Sequence, residues 1–241
     1  MVARWPWEGQ PDHAACDYAV LHLYRTLPAR LAANGRVHAE TCLAAIGAIA
    51  GFAAQRALFE QLERTRDAAL ISQLQIVRTE EGEEFVVGAP LNRMLVPASA
   101  AENNQRLWSL AAIGALSSGL VPSQLPRLDD MFTHVADTIG SEQEGLPSVA
   151  GEHLPHVPGK ELLRAVWPIA MMCFLGRFPN SEREFGVAAT QHWPAISGRV
   201  ASGLLRQMPP SLDRRTGLII LMESAIYASR LKPTALRNAV H

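Results

Sequence analysis

The chain has 241 residues and a formal net charge of -1 at pH 7; hydrophobic residues make up 48% of it and charged residues 19%. This composition is typical of a compact globular protein and excludes a disordered or fibrous chain. A net charge so close to zero gives no general attraction to nucleic acid or to a membrane surface. We therefore expect one globular domain over residues 1–241, with neither nucleic acid nor a membrane as its partner.

The first 20 residues contain no continuous apolar run of the length found in a secretory signal. Cys16, Cys42 and Cys173 are far apart in the sequence and have apolar neighbours, which is typical of reduced thiols in a protein core. No C-x-x-C pair occurs, so a thiol redox centre or a zinc knuckle has no support in the sequence. We expect a cytoplasmic protein that binds no cofactor.

The first predicted helix covers residues 11–33, where apolar residues recur every three or four positions. Pro28 should kink or end this helix. Asn34 and Gly35 tolerate the left-handed backbone conformation that stops a helix, and the next helix begins directly after them. We therefore predict an antiparallel αα-hairpin.

The second predicted helix contains Thr41 to Ala54, a segment with almost no polar side chains. Charged residues flank this segment, and it is shorter than the roughly 20 residues that cross a bilayer. We therefore predict a buried central helix over about residues 37–68. Gly47 and Gly51 begin a row of small side chains on this helix, which lets another backbone approach closely, either within the chain or at an interface with a second copy.

Residues 73–87 predict a small β-hairpin, because two short β-prone runs flank a turn at Gly82. A lone hairpin is only marginally stable in water, so this one must lie against helices or pair with a second copy. The glutamates at its tip lack the ordered spacing of a calcium loop and indicate a solvated turn. Together with the helices before it, the hairpin forms an N-terminal part over residues 11–97.

The C-terminal part, residues 98–241, is predicted to be helical. Pro168 and Pro194 should each introduce a kink. The predicted helices cover residues 100–118, 128–139, 160–176, 181–208 and 211–231. The whole chain is therefore expected to be a mostly α, single-domain multi-helix bundle of seven to nine helices around the central helix.

Residues 141–159 form the longest segment without a helical or strand pattern, and they contain three prolines and several glycines. A loop of this length is uncommon in a compact domain unless it is functional or mobile. We expect it to be the most mobile internal segment and the rim of any functional cleft.

Asp130, His134 and Asp137 lie at positions i, i+4 and i+7 of a predicted helix, so they share one face. Such a face could bind a divalent metal or support acid–base chemistry. Helical di-metal proteins repeat a carboxylate-x-x-His pair on two helices, and no second pair of this type occurs here. The alternative is a solvated helix face with local ion pairs.

His153 and His156 lie in the long loop, beside Glu152 and around Pro155. Both imidazoles could contact one ligand, and loops often carry functional residues. Two ligands do not make a metal site, however, and a mobile loop would hold them only loosely.

Known catalytic and nucleotide-binding patterns are missing from the sequence: it has no G-x-S-x-G motif and no P-loop. The basic residues after residue 199 could contact phosphate, but they are dispersed and favour contacts within the chain or between subunits. We therefore expect a non-catalytic helical protein that acts through self-association, most simply as a homodimer, or by binding a protein partner or a small apolar ligand. The candidate surfaces are Gly47 and Gly51, the edge of the hairpin, and the apolar stretch Val166 to Phe178. The alternative is a metal-dependent enzyme that uses the Asp/His residues near 130–156.

Overall fold

A computed structural model describes residues 5–98, 105–177 and 186–233. Within these residues the chain forms nine α-helices and one two-stranded antiparallel sheet, which confirms the predicted mostly α fold. The helices are α1 (His13–Leu31), α2 (Ala39–Thr65), α3 (Ala68–Ile71), α4 (Ala89–Leu95), α5 (Leu107–Leu116), α6 (Leu128–Thr138), α7 (Gly159–Phe174), α8 (Trp193–Arg206) and α9 (Arg214–Arg230), and the strands are β1 (Gln75–Arg78) and β2 (Glu84–Val87).

The centre of the fold is a pair of buried helices, α2 and α9. They run parallel, because Gly47 lies against Leu221 and Gly51 lies against Ala225, four residues further along both helices. A Cβ atom at either glycine would overlap the carbonyl oxygen of its neighbour in α9. The prediction that Gly47 and Gly51 allow a close helix contact is therefore confirmed, but their role at an interface between copies is wrong, since α9 of the same chain covers both.

Gln55 continues the row of Gly47 and Gly51 by one further turn and closes the contact between α2 and α9. Its side chain is fully buried, and Nε2 donates hydrogen bonds to the carbonyl oxygens of Ser229 (2.7 Å) and Leu231 (2.8 Å). The last carbonyls of a helix have no partner within that helix. Gln55 therefore caps the C-terminal end of α9 from a neighbouring helix.

Among the described helices, only α2 is long and apolar enough to cross a membrane. In its most apolar 18-residue window, however, 89% of the residues are buried within the chain. The helix contacts α9, α8 and α7 along its length. This packing is that of a core helix.

The N-terminal helices differ from the prediction in their packing. The turn at Asn34 and Gly35 is confirmed, since both residues have positive φ (52° and 73°). Pro28 lies inside α1, which continues to Leu31. However, α1 contacts α7 and α8 more extensively than α2, so the predicted αα-hairpin is not the main packing unit.

Two element boundaries were predicted wrongly because of proline. No helix is predicted between the hairpin and residue 100, but Pro90 occupies the first turn of α4, where the missing N–H costs nothing. Pro194 was expected to kink a long helix, but it lies in the first turn of α8, which begins at Trp193. Residues 100–104 and 181–185, which begin two of the predicted helices, lie outside the described residues.

Candidate functional site

The three residues of the predicted Asp/His face of α6 have different surroundings in the structure. Asp130 and Asp137 are exposed, and Asp130 lies 3.9 Å from Nε of Arg127 in the preceding turn. His134 turns away toward the interior, where its Nε2 lies 2.9 Å from the carbonyl oxygen of Leu146. Within the described residues, no hydrogen bond or ion pair joins His134 to either aspartate.

Behind His134 lies a buried carboxylate that the sequence reasoning missed. Glu223, in the middle of α9, is only 2% exposed. Ser148 donates to it twice, from its backbone N–H (2.5 Å) and from its hydroxyl (2.6 Å), and Nε2 of His134 lies 3.8 Å from Oε2. Burial raises the pKa of Glu223 above its usual value, although these hydrogen bonds and the charge of His134 oppose the increase. In the sequence, the only sign of this buried carboxylate is that Glu223 is a single acidic residue within an otherwise apolar part of a predicted helix.

His153 and His156 lie at the N-terminus of α2, apart from His134. One carboxylate joins two imidazoles there: Oε1 of Glu40 is 3.1 Å from Nδ1 of His153, and Oε2 is 3.2 Å from Nε2 of His38. The ring of His156 stacks on that of His38, with centroids 3.8 Å apart and planes inclined by 13°. We call His38, Glu40, His153 and His156 the imidazole cluster.

The imidazole cluster fixes the loop to the start of α2. His38 is the N-cap residue of α2, and its Nδ1 accepts a hydrogen bond from the backbone N–H of Thr41 (3.3 Å). The Thr41 hydroxyl in turn accepts one from the backbone N–H of His156 (3.0 Å). The rings of His38 and His156 lie face to face, so the lone pairs of their nitrogens lie in nearly parallel planes and do not converge on one point between the rings. Accordingly, no three His, Cys, Asp or Glu side chains in the described parts of the chain are arranged to hold a metal ion.

The electrostatics of the imidazole cluster favour a neutral His38. Burial lowers the pKa of His38; the neighbouring His156 lowers it further, while Glu40 opposes the decrease. Burial alone would raise the pKa of Glu40, but a backbone hydrogen bond, the hydrogen bond with His153 and the nearby imidazoles lower it overall. The carboxylate of Glu40 therefore joins the loop at His153 to the N-cap residue His38 of α2.

The loop over residues 141–158 is held along its length, contrary to the expectation of a loosely attached rim. The hydroxyl of Tyr227 donates to Oε1 of Glu144 (2.7 Å), and the backbone of Gly145 and Gly159 packs against the Tyr227 ring. Contacts of Ser148 with α9 and of His153 with α2 continue the attachment. The prolines and glycines exclude regular structure, but the side chains of buried helices supply the missing hydrogen bonds.

The basic residues near the C-terminus contact their own chain. Arg199 donates to Asp17 (2.8 Å) and lies over the ring of Trp5, and Lys232 pairs with Glu84. Arg214 donates to three carbonyl oxygens of the segment before α9, those of Met208, Pro209 and Leu212. These contacts favour the intramolecular interpretation of the basic region. Arg237 lies outside the described residues.

One apolar cavity of about 280 Å³ opens where α1, α2 and α8 meet. Its wall includes Pro28, Val37, Cys42, Leu43, Leu204 and Met208. The predicted apolar stretch Val166 to Phe178 does not line it. Within α7, the helix that contains most of this stretch, Val166, Ala170, Cys173 and Phe174 are buried in the core.

The hairpin presents the clearest unpartnered surface in the described chain. Strand β2 is buried by the helices, with Phe85 fully covered, whereas all four residues of β1 are exposed. Ile76 is 64% exposed and Val77 is 40% exposed, and no described segment pairs with the outer edge of β1. This edge therefore combines unpaired backbone groups with apolar side chains.

The register of the hairpin determines which backbone groups lie on that outer edge. Thr79 donates its N–H to the carbonyl of Glu83 across a turn at Gly82, whose φ is 85°. Hydrogen-bonded and non-hydrogen-bonded pairs alternate along an antiparallel ladder. Since Val77 pairs with Phe85 and Ile76 with Val86, Val77 is bonded to β2, and the N–H and C=O groups of Ile76 and Arg78 point outward.

The chain matches no protein-family model, no curated protein and no solved structure.

Proposed function

We propose that this protein acts by associating with another protein chain through the free edge of β1. The observation that carries the proposal is the exposure of Ile76 and Val77 on a strand whose outward backbone groups have no partner in the described chain. An exposed edge of this kind is a template for an added strand, in which backbone hydrogen bonds provide affinity and side chains provide specificity.

The usual protections of an edge strand are weak here. Natural edges are often shielded by a charged side chain, a proline or a bulge. The only charge on β1 is Arg78, and it pairs with Glu84 on the adjacent strand rather than extending over the edge. The acidic residues Glu80 and Glu81 lie in the turn, beyond the strand. Their negative charges oppose unspecific stacking of protein chains. Because both residues lie beyond the strand, they leave the edge of β1 accessible.

A site-specific photocrosslinker tests this proposal. We expect benzoylphenylalanine at position 76 to form a discrete adduct with a protein chain in the producing cells. The matched control is the same residue at Ile113, which is 43% exposed on α5 and lies outside the hairpin. The adduct is identified by mass spectrometry and its formation is repeated with purified components. Equal or absent crosslinking at both positions would remove the proposal.

A second candidate function is the binding of a small apolar ligand in the cavity between α1, α2 and α8. Its volume of about 280 Å³ and its largely apolar wall support this function. The dye 1-anilinonaphthalene-8-sulfonate should bind with increased fluorescence. Ala39 also lines this cavity, so an Ala39→Trp variant should lose that signal, while Ala136→Trp on the exposed face of α6 should keep it. Equal fluorescence from both variants would exclude the cavity.

A further inference from the structure

We infer that the chain docking on β1 is a second copy of the protein, with the two β1 strands antiparallel and Val77 facing its counterpart across a two-fold axis. This inference rests on the proposed function and names its partner. It follows from the register of the hairpin, because the outward backbone groups restrict how two identical edges can pair.

A two-fold axis can be centred on any of the four residues of β1. Centring it on Gln75 or Ile76 requires the N–H of Leu74 to join the new ladder, but that N–H is already donated to the carbonyl of Ile71 (3.0 Å). Centring it on Arg78 places two arginines directly opposite each other, which is destabilising. It also requires Glu80, which lies in the turn.

Centring the axis on Val77 satisfies every outward group. Ile76 of one copy then forms a hydrogen-bonded pair with Arg78 of the other, and the symmetry repeats this pair. Each pair supplies two backbone hydrogen bonds and uses no group outside β1. The two Val77 residues meet as a non-hydrogen-bonded pair, where side chains come closest. Two marginal two-stranded hairpins thereby become one four-stranded sheet.

Charge complementarity supports antiparallel pairing of the two strands. Such pairing places the turn that follows β1 in one copy, with Glu80 and Glu81, beside the segment that precedes β1 in the other copy, which contains Gln73. Nη2 of Arg93 lies 3.1 Å from Oε1 of Gln73, so an exposed guanidinium already stands at that position. The pairing brings each acidic turn to a basic side chain of the second copy. A self-complementary arrangement of this kind is what a two-fold interface requires.

Cysteine crosslinking reports the register. The three native cysteines are buried, so a single added cysteine is the reactive one. Val77→Cys should form a disulfide-linked dimer under mild oxidation, because opposed residues in a non-hydrogen-bonded pair bring Cβ atoms to disulfide distance. Ile76→Cys should form little, although Ile76 is the more exposed of the two residues, since its counterpart in the second copy is Arg78. Stronger crosslinking at position 76 than at 77 would overturn the register.

The oligomeric state tests the identity of the partner. Light scattering at about 100 µM should report twice the monomer mass of 26.2 kDa. Ile76→Pro removes only an outward N–H, which an edge strand tolerates, and it should return the mass to that of the monomer with an unchanged circular dichroism spectrum. If this variant misfolds, Arg93→Glu should weaken the dimer at least tenfold, and Glu81→Lys added to it should restore association.

The possible failures are distinguishable. A wild-type chain that remains monomeric overturns the second-copy inference. The broader proposal then stands only if position 76 crosslinks to a different, identified protein. A dimer that Ile76→Pro does not affect, and that Val77→Cys does not crosslink, places self-association on another surface and overturns the inference that β1 pairs with β1.

Discussion

Gly51 in α2 lies directly against the backbone of Ala225 in α9, so closely that a Cβ atom at position 51 would be 2.8 Å from the Cα atom of Ala225. Gly47 repeats this relationship with Leu221, where the corresponding distance is 3.2 Å. Both helices are buried at these positions, so neither can move outward without opening the core. The two glycines thus set the separation of the central helix pair.

Gly51→Ala should destabilise the protein by about 3 kcal/mol or more, because the added methyl group meets backbone atoms that cannot rotate away. The free energy of unfolding by urea measures the effect. Gly151→Ala is the matched control: a Cβ atom there meets nothing within 4 Å and φ is not positive, so its effect should stay within about 0.5 kcal/mol. Equal effects of the two substitutions would show that α2 and α9 are further apart than described.

The sequence predicts the central helix well, because α2 has an apolar composition over many turns and charged residues at both ends. It cannot identify the partner of that helix. A row of glycines indicates only that some backbone approaches, and α9 lies about 170 residues further along the chain. The prediction of a dimer contact at Gly47 and Gly51 failed for this reason: burial by a distant segment of the same chain leaves no local signal.

The candidate site residues show the same limit. His153 and His156 were recognised as titratable residues in a loop, but their partners in α2 are more than 110 residues away in the sequence. The spacing of apolar residues predicts where helices and strands begin and end. It does not predict which helix a loop will contact. The free edge of β1 was more predictable, since strand, turn and strand are contiguous and their alternation defines the register.

As pH rises, the Glu223→Gln variant should become more stable than the wild type. Burial raises the pKa of the Glu223 carboxyl above its ordinary value of 4.5, so the folded state prefers the protonated form. That contribution is complete below pH 4.5 and is lost as pH rises through the folded-state pKa. The glutamine retains the shape and can bond both Ser148 groups without a charge. Urea midpoints of the two proteins should therefore diverge between pH 5 and pH 8.

The control for this experiment is Glu152→Gln, which changes an exposed carboxylate in the same loop region. Its urea midpoint should follow that of the wild type at every pH. If Glu223→Gln also follows the wild type throughout, the carboxylate of Glu223 is solvated in solution, and its described burial is not maintained.

The loop over residues 141–158 should resist limited proteolysis in the wild-type protein. Glu223→Ala should make it the first site of cleavage, because the N–H and hydroxyl of Ser148 lose their buried acceptor at a cost of about 2 kcal/mol. Trypsin has no site within residues 141–158, so a protease that cuts after acidic residues is required. Rapid cleavage of the wild type in this loop would show that its described contacts are transient.

His38→Asn should reduce the loss of stability on acidification. Burial and the stacked ring of His156 lower the pKa of His38, so its contribution to stability is present above pH 6.5 and is lost as pH falls through the folded-state pKa. Asparagine preserves the N-cap hydrogen bond to Thr41 and does not titrate. Thermal unfolding at pH 7 and pH 5 measures the difference. Identical pH dependence of the two proteins would mean that His38 remains solvated and unstacked.

Gln55→Glu should destabilise the protein strongly at pH 7 and less at pH 5. In the wild type, the side-chain N–H groups of Gln55 bond the carbonyls of Ser229 and Leu231, and its Oε1 has no partner among the described residues. A carboxylate there would face two carbonyl oxygens in a fully buried site, whereas a protonated acid could still donate to one of them. The control is Gln61→Glu, at an exposed position of the same helix. The unfolding midpoint of this variant should be close to that of the wild type at both pH values. A Gln55→Glu protein as stable as this control at pH 7 would mean that the C-terminal end of α9 is capped by some other group, such as bound water, and that Gln55 does not hold α9 to α2.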